Sequence, residues 1–307
     1  MGATITIYLL PPSNDSQEER TTEQLLDDVF ELLNIYNQRF SANDANSELM
    51  QVNRAAGKHP VPVDPELFEL IKIGKEQSLL PASHLNIALG PLVQTWRIGF
   101  SDARIPNNAE VAHALSLTDP QLIELDSLSC TVFLAKKGMK LDLGCLAKGY
   151  IADKIAEYLK SQNITSALIN LGGNIKTIGA NVLANRPWQI GIQNPQQPRG
   201  TNLAVLPICS QSVVTSGTYE RKLQVNEHTY HHILDRTTGY PVDTQLASIT
   251  IISDNSLDGE IWTTRLYGEK PRQLLARVEQ EKGIEVLIVT TDNRVYYSSG
   301  ISPEFLA

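Results

Sequence analysis

The 307-residue chain is short of cysteine, of long apolar runs and of clustered basic residues. Its three cysteines, Cys130, Cys145 and Cys209, lie far apart with no CxxC pair, so neither a zinc ribbon nor a disulfide framework is expected. No apolar stretch is long enough to cross a bilayer. The formal net charge is −8 and no Lys/Arg-rich run occurs, so we expect neither a transmembrane segment nor a nucleic-acid partner.

Two common nucleotide-binding fingerprints are missing as well, because neither GxxxxGK[ST] nor GxGxxG occurs. The printed sequence does not open with the charged and apolar regions of a signal peptide or with a lipobox-like cysteine. We therefore expect a cytoplasmic protein, or an extracytoplasmic membrane-anchored lipoprotein whose N-terminal signal has been removed.

The overall composition is that of an ordinary globular protein, with 42% hydrophobic and 20% charged residues. Predicted strands occur in clusters rather than in strict alternation with helices, which favours an α+β fold over a doubly wound sheet. No repeat or linker separates independent domains, so we predict a single domain over residues 1–307. A boundary between two lobes is expected near residues 100–110.

Hydrophobic periodicity and capping residues predict the main elements. The predicted helices cover residues 22–39, a short segment from 47, 65–80, 109–115, 147–161, 257–267 and 271–282. The predicted strands cover residues 3–10, 121–125, 130–135, 140–144, 166–171, 188–193, 203–208, 211–216, 229–234, 247–253, 284–290 and 294–298.

A glycine turn comes directly before the helix that begins near Ala147. The N-terminus of a helix leaves N–H groups free to bind an anion, and Lys148 in its first turn could pair with a phosphate. An ordinary strand-to-helix connection with a surface lysine would have the same composition. The second glycine turn, Gly172-Gly173, follows a predicted buried strand and would let a backbone approach a ligand closely, although a simple turn would look the same.

Hydroxyl, imidazole and carboxylate groups are concentrated in two neighbouring segments, Thr215-Ser216-Gly217 and the stretch from His231 to Gly239. We predict two strands joined by a polar turn, which would place these groups along one edge. His232 is the preferred acid/base candidate because imidazole titrates near neutrality. His231 and His232 would point to opposite faces of a strand, so at most one faces a site. A lone histidine on a strand is also often structural.

Carboxylate and hydroxyl oxygens occur together between Asp258 and Thr264. Such oxygens suit Mg²⁺, which often shares its ligands with substrate phosphates. Glu260 and Thr264 would lie on one face of a helix, since they are four residues apart. An acidic first turn that complements the helix dipole is the alternative explanation.

Taken in order from residue 1 to about 268, these segments resemble the signature blocks of the ApbE family, the FAD:protein FMN transferases. The segment 141–153 is similar to the family's DLGGIAKGYAxD, 170–174 to NLGGxI, and 232–239 to H-I-(I/L)-(D/N)-P-x-T-G. Weaker similarities occur at Met1, at 40–53 and at 84–96. The chain departs from these patterns at Cys145 in place of Gly, Arg236 in place of Pro and Asn86 in place of Asp.

The resemblance implies two mixed α/β lobes packed into one globular unit, with FAD in a cleft between them. It implies Mg²⁺-dependent transfer of FMN from FAD to a Ser or Thr hydroxyl of an acceptor flavoprotein, with release of AMP. The acceptor would carry a D-(S/G)-x-T-like motif. Adenine would bind near the N-terminal blocks and the diphosphate near Lys148, Gly149 and the Gly172-Gly173 turn.

Site residues follow from the same resemblance. His232 and Lys148 would be catalytic, His232 as the general base for the acceptor hydroxyl. The FAD contacts would be Met1, Ser41, Glu48, Asn86, Lys148, Gly149, Asp153, Gly172, Gly173, Thr215, Ser216, Gly217, His232, Asp235, Thr238 and Gly239.

Two alignments to the metal-binding Asp and Thr of the family are possible. An ungapped alignment places Asp258 and Trp262 on the family's Asp and Thr, whereas a two-residue shift places Glu260 and Thr264 there. The backbone carbonyl of Ala147 would complete the set.

Two other functions remain open at the level of sequence. An FAD pyrophosphatase would use water in place of the acceptor hydroxyl and release FMN and AMP. A flavin-binding protein without turnover would keep FAD intact. The oligomeric state is not indicated by the sequence.

Overall fold

The computed structural model describes residues 4–10, 21–226 and 228–306. Its helices are α1 (Thr22–Phe40), α2 (Glu48–Ala55), α3 (Pro65–Leu79), α4 (Gly90–Trp96), α5 (Asn108–Leu115), α6 (Ala147–Ser161), α7 (Ser256–Leu266) and α8 (Pro271–Val278), with a short 3₁₀ turn at Pro120–Leu122. Its strands are β1 (Ile5–Leu10), β2 (Val61–Pro62), β3 (Ile123–Asp126), β4 (Thr131–Leu134), β5 (Ser166–Leu171), β6 (Asn174–Ile178), β7 (Trp188–Gln193), β8 (Asn202–Ile208), β9 (Ser212–Gly217), β10 (Lys222–Val225), β11 (His228–His231), β12 (Leu246–Ser253), β13 (Ile284–Thr290), β14 (Val295–Tyr297) and β15 (Glu304–Phe305).

A seven-stranded sheet organises the molecule, in the order β1-β5-β6-β9-β12-β13-β14. Neighbouring strands in it pair antiparallel. Three smaller sheets accompany it, in the orders β15-β8-β7, β2-β4-β3 and β10-β11. Because helices and strands are mixed and the described strands form no parallel β-α-β pattern, the predicted α+β class is confirmed.

Side-chain alternation explains why the large sheet is covered on both faces. In β5, Ala167 and Ile169 face a core shared with α1, α3 and α6, whereas Leu168 packs with β7 and β8 on the other face. β12 and β13 contribute to a third core, against α7 and α8. Successive side chains of a strand point to opposite faces, so β5, β12 and β13 bury apolar side chains on both sides of the sheet.

The predicted helix starts agree with the structure because the capping side chains are in place. Thr21 and Gln24 form a capping box at α1, and Ser47 Oγ accepts the Met50 N–H at 3.1 Å to begin α2. Asp64 accepts the N–H of Glu66 at 2.9 Å and precedes Pro65, the first residue of α3.

The strand predicted over residues 140–144 is wrong. The Leu141 N–H donates to Asn53 Oδ1 at 2.7 Å, and Asn53 Nδ2 donates to the Leu141 carbonyl at 3.0 Å. The Asp142 N–H donates to Ile87 O at 2.9 Å. An asparagine side chain thus takes the place of a partner strand. The segment is extended and buried without belonging to a sheet.

The predicted pairing of the 211–216 and 229–234 strands is also wrong. β9 pairs with β6 and β12, and Thr215 Oγ1 lies 2.8 Å from Thr250 Oγ1 of β12. Residues 222–225 form a strand that the sequence analysis missed, and this β10 is the partner of β11. β11 ends at His231, so His232 lies just beyond the strand rather than within it.

Other differences concern short elements. Helix α4 and strands β6 and β15 were not predicted from the sequence, and α8 ends four residues earlier than predicted. Residues 97–107 connect α4 to α5, and the lobe boundary expected near residues 100–110 stays a prediction. Within the described part of the chain, no helix has the length and apolar character needed to cross a membrane.

Candidate active site

A cavity of about 590 Å³ lies where the ends of several elements meet. Its walls come from the segment around α4, the first turn of α6, the β5–β6 turn, the end of β9, the residues after β11, and α7. This volume is in the range typical of small-molecule sites. The predicted site residues that line it are Asn86, Lys148, Gly172, Gly173, Thr215, Ser216, Gly217, His232, Glu260 and Thr264.

The Gly172-Gly173 turn presents bare backbone to the cavity. Both glycines have positive φ, 65° and 94°, as a two-residue turn between antiparallel strands requires. Asn170 Oδ1 accepts the N–H of Gly173 at 2.8 Å and fixes the turn. A Cβ added to Gly173 would meet no other atom within 4 Å, so the glycine faces open space. The turn therefore lets a ligand approach the main chain directly.

His232 is half-buried in the cavity wall and held through one ring nitrogen. Its Nδ1 lies 3.3 Å from the carbonyl oxygen of Arg221. The same oxygen accepts the backbone N–H of His232 at 3.2 Å. A carbonyl can only accept, so Nδ1 carries the proton of the neutral ring and Nε2 keeps a lone pair. Burial, and next the charge of Arg221, lower the pKa of His232 to about 4. The ring is therefore neutral at pH 7 and suited to accept a proton.

The neighbouring His231 has a structural role. Its Nε2 lies 2.9 Å from Val242 O, and its Nδ1 accepts the N–H of Ile233 at 3.3 Å. Burial lowers the pKa of His231, so it too is neutral at pH 7. The two adjacent histidines thus differ as expected, because only His232 lines the cavity.

A buried polar network occupies the side of the cavity formed by α6 and α7. The Lys148 ammonium donates to the carboxylate of Glu260, and Asn174 Nδ2 donates to the same oxygen at 2.9 Å. Asn174 Oδ1 in turn accepts the hydroxyl of Ser256 at 2.6 Å. Glu260 is 3% exposed, and Lys148 provides the opposite charge that such a buried carboxylate needs.

The oxygen donors of this side fit a divalent cation that shares its ligands with a phosphate. Glu260 and Thr264 both line the cavity, one helical turn apart, whereas Asp258 and Ala147 are not among the lining residues. Among the described residues no group of three or more His, Cys, Asp or Glu side chains could hold a metal. One carboxylate and one hydroxyl suit Mg²⁺, which commonly takes its remaining oxygens from water and substrate phosphates.

Two predicted ligand contacts at α6 instead connect α6 to α7. A Cβ on Gly149 would lie 2.5 Å from Ser256 O, so this glycine permits close packing of the two helices. Asp153 accepts the N–H groups of Ser256 and Leu257, both at 2.8 Å, and so caps α7 from a neighbouring helix. Both residues lie outside the cavity wall and position Glu260 by positioning α7.

The predicted contacts at Asp235, Thr238 and Gly239 form a tight turn behind the cavity. Asp235 Oδ1 accepts the N–H of Thr237 at 2.7 Å and of Thr238 at 2.9 Å. Gly239 has φ 76°, and its carbonyl accepts the Trp96 Nε1–H at 2.9 Å. Arg236 donates to three backbone carbonyls, those of Ser78, Ser83 and Leu85, which ties the turn to the end of α3 and to the segment that follows it.

The remaining predicted residues lie near chain turns or outside the described part. Ser41 accepts the N–H groups of Asn43 and Asp44, and Glu48 accepts that of Asp64 at 2.6 Å. Asp258 accepts from Asn255 Nδ2 at 3.2 Å near the start of α7. Met1 is outside the described residues.

Several charged and aromatic residues that line the cavity were not predicted as site residues from the sequence. Asp142 is one, and burial raises the pKa of its carboxyl although the Gly144 N–H donates to it at 2.8 Å. Arg199 and Arg221 add positive charge, and Trp96 and Phe100 add aromatic surface. Asp142 belongs to the segment 141–153, whose resemblance to a family motif could have identified it as a site residue. Arg199 comes from an irregular loop, and no pattern marked it.

A second cavity of about 300 Å³ adjoins the first. Asp142 and Phe100 line both cavities, while Asn43, Met50 and Asn53 contribute to the smaller one alone. The N-terminal segment 42–53 therefore reaches the site through this smaller cavity, although Ser41 and Glu48 themselves do not line it.

Comparison with known proteins identifies the family of the chain. The model of the ApbE family matches residues 1–288. A Klebsiella pneumoniae protein named FAD:protein FMN transferase is 44% identical over 90% of this chain and 85% of its own length. A Treponema pallidum protein of the same name is 35% identical over 90% of this chain and 80% of its own.

Solved structures give the same result for the fold. The ApbE protein of Thermotoga maritima superposes with a TM-score of 0.83 at 27% identity, covering 93% of this chain and 92% of that one. The flavin transferase ApbE of Vibrio cholerae also gives 0.83, at 26% identity and over 97% and 94% of the two chains. The protein has a mixed α+β fold with a flavin-transferase-like topology. It belongs to the ApbE family.

Proposed function

We propose that the protein is an FAD:protein FMN transferase. It binds FAD in the joined cavities and transfers the FMN moiety to a Ser or Thr hydroxyl of a target flavoprotein, releasing AMP. Support comes from the family membership and from relatives that carry this name at 44% and 35% identity.

The observation that carries the proposal is the position of the neutral His232 in a wall shared with the Gly172-Gly173 turn and Lys148. A base, bare main-chain groups and a cation are what a transfer reaction at a diphosphate needs. The two adjoining cavities suit a long ligand with a ring system at each end. We place the flavin half in the larger cavity and adenine in the smaller one, next to residues 42–53.

In this reaction the acceptor oxygen attacks the phosphorus of the FMN half. The new P–O bond forms as the bond to the bridging oxygen breaks, and AMP leaves with that oxygen. His232 Nε2 takes the proton of the attacking hydroxyl. Lys148 pairs with diphosphate oxygens and lowers the charge repulsion between the nucleophile and the phosphorus.

A Mg²⁺ ion bound with FAD would be held by Glu260 and Thr264, in preference to the register that uses Asp258. Bound there, it would neutralise diphosphate charge. The acceptor is expected to present its Ser or Thr in a D-(S/G)-x-T-like motif.

The test is mass spectrometry of an acceptor fragment with this motif, incubated with the protein, FAD and Mg²⁺. We expect a gain of one FMN that EDTA abolishes. An intact acceptor together with intact FAD would contradict the proposal. In parallel reactions without the acceptor fragment, the release of free FMN is measured. If release of FMN and AMP is the main reaction, the protein is an FAD pyrophosphatase instead.

His232→Ala is expected to lower the transfer rate by at least about a hundredfold, the usual contribution of a general base. FAD affinity, measured by flavin fluorescence, is expected to change much less. His113→Ala is the control and is expected to keep full transfer activity, since His113 is exposed on α5 and does not line the cavity. Full transfer activity in His232→Ala would remove His232 from the catalytic role.

A further inference from the structure

Lys148 and a divalent cation compete for the same carboxylate. The Lys148 ammonium is paired with Glu260, the only acidic side chain among the proposed ligands that lines the cavity in the described structure. Glu260 is buried within α7, whereas the Lys148 side chain is 30% exposed and comes from the first turn of α6. A buried carboxylate without a positive partner is costly, so Lys148 serves as the counter-ion of Glu260.

The rest of the network holds Glu260 independently of Lys148. Asn174 donates to the same carboxylate oxygen at 2.9 Å and is itself fixed by Ser256 at 2.6 Å. Asn174 and Ser256 are fully buried, so they have little freedom to move. Lys148 is different, because its side chain is 30% exposed at the cavity surface and its ammonium is a point charge on a flexible four-carbon stem. Lys148 can leave while Glu260 stays in place.

We propose that Lys148 is an exchangeable counter-ion, which neutralises Glu260 until FAD and a divalent cation bind and then pairs with the diphosphate of FAD. This inference rests on the proposed function. A cation alone must displace the ammonium and finds few oxygens beside Glu260. FAD provides a second anion for Lys148 and further oxygens for the cation. Each ligand therefore raises the affinity of the other by the same factor.

The test measures Mn²⁺ binding to the FAD-free protein by electron paramagnetic resonance. Lys148→Met removes the competing charge at similar length, and we expect it to bind Mn²⁺ at least about tenfold more tightly than the unchanged protein. Lys154→Met is the matched control, because Lys154 lies on the same helix but pairs with Glu157 at 3.4 Å. It is expected to leave Mn²⁺ affinity unchanged. Unchanged or weaker binding in Lys148→Met would overturn the inference.

Two further variants separate the possible reasons for a result. Adding Glu260→Gln to Lys148→Met is expected to abolish the gain in Mn²⁺ affinity, because the cation binds to the Glu260 carboxylate. Lys148→Gln repeats the measurement with a polar end group, in case Lys148→Met folds poorly. FMN transfer by the unchanged protein is assayed separately. If Lys148→Met binds Mn²⁺ more tightly but the unchanged protein transfers no FMN, the proposed function alone is refuted. If the unchanged protein transfers FMN but Lys148→Met shows no gain in Mn²⁺ affinity, the counter-ion role of Lys148 alone is refuted.

Discussion

At the residue scale, the tautomer of His232 decides its chemistry. The Arg221 carbonyl at 3.3 Å holds the proton on Nδ1, which leaves Nε2 as the basic nitrogen. The pKa of about 4 lies below the ordinary value of 6.5, so protonation favours the unfolded chain. The contribution of His232 to stability therefore decreases as the pH falls from 6.5 towards 4, while the neutral base persists through that range.

Arg221→Met is expected to raise the pKa of His232, because the positive charge of Arg221 is the second largest cause of its depression after burial. Proton resonances of the His232 ring, followed by NMR against pH, measure the shift directly. The acidic limb of the FMN-transfer rate should move to higher pH with it. The backbone carbonyl that holds Nδ1 is kept in this variant. An unchanged titration would show that the charge of Arg221 does not depress the pKa of His232.

The residues foreseen from the sequence illustrate what a pattern can and cannot indicate. His232 and Gly172-Gly173 were predicted for the cavity and line it, because their local chemistry is distinctive. Asp153 belongs to an equally recognisable motif, yet its carboxylate caps α7. A motif indicates that a residue matters, whereas only the packing of α6 on α7 shows whether it serves a ligand or a neighbouring helix.

At the scale of elements, the contact between α6 and α7 sets the position of Glu260 relative to Lys148. Gly149 allows this contact, since a Cβ there would lie 2.5 Å from Ser256 O and 2.8 Å from Leu257 Cα. The obstruction is backbone, which cannot rotate away. The separation of the two helices therefore depends on one missing side chain.

Gly149→Ala is expected to lower the free energy of unfolding by about 1–3 kcal/mol, because overpacking outweighs the better helix propensity of alanine. Chemical denaturation measures the change. FAD binding should weaken as well, since α7 is displaced. Lys160→Ala, at an exposed position of the same helix, is the control and should stay within about 0.5 kcal/mol. A stabilised Gly149→Ala protein would show that α6 and α7 separate at little cost.

Element prediction succeeded where the signal is local and failed where a distant group decides. Capping residues gave the starts of α2 and α3, and hydrophobic periodicity gave that of α1, because both signals act within a few residues. The segment at Leu141 has the same alternation as a strand, but its backbone pairs with Asn53, 88 positions away. The pairing of β9 with β12 likewise joins strands that are distant in sequence, and no local pattern reveals it.

At the scale of the whole molecule, the cavity is assembled from distant parts of the chain. Its walls extend in sequence from His84 to Tyr267, so a ligand there contacts segments that otherwise meet only through the folded core. FAD that binds the native state and not the unfolded chain must stabilise the entire fold.

FAD at a hundred times its dissociation constant is expected to add about 2.7 kcal/mol to the free energy of unfolding. Differential scanning calorimetry at increasing FAD concentration measures this as a rising Tm. Riboflavin lacks the diphosphate and should raise the Tm much less at the same concentration. A Tm that does not respond to FAD would mean that the cavity does not hold it.

The pairing of β1 with β5 has a consequence for synthesis on the ribosome. Ile5 pairs with Leu171, so the first strand has no partner until about 166 further residues have been made. At typical elongation rates this wait lasts roughly 10–30 s. An alternating, partly apolar strand with unpaired edges is prone to aggregation during that time. We therefore expect nascent chains shorter than about 171 residues to depend on ribosome-associated chaperones, and longer ones to become protease-resistant as β5 emerges.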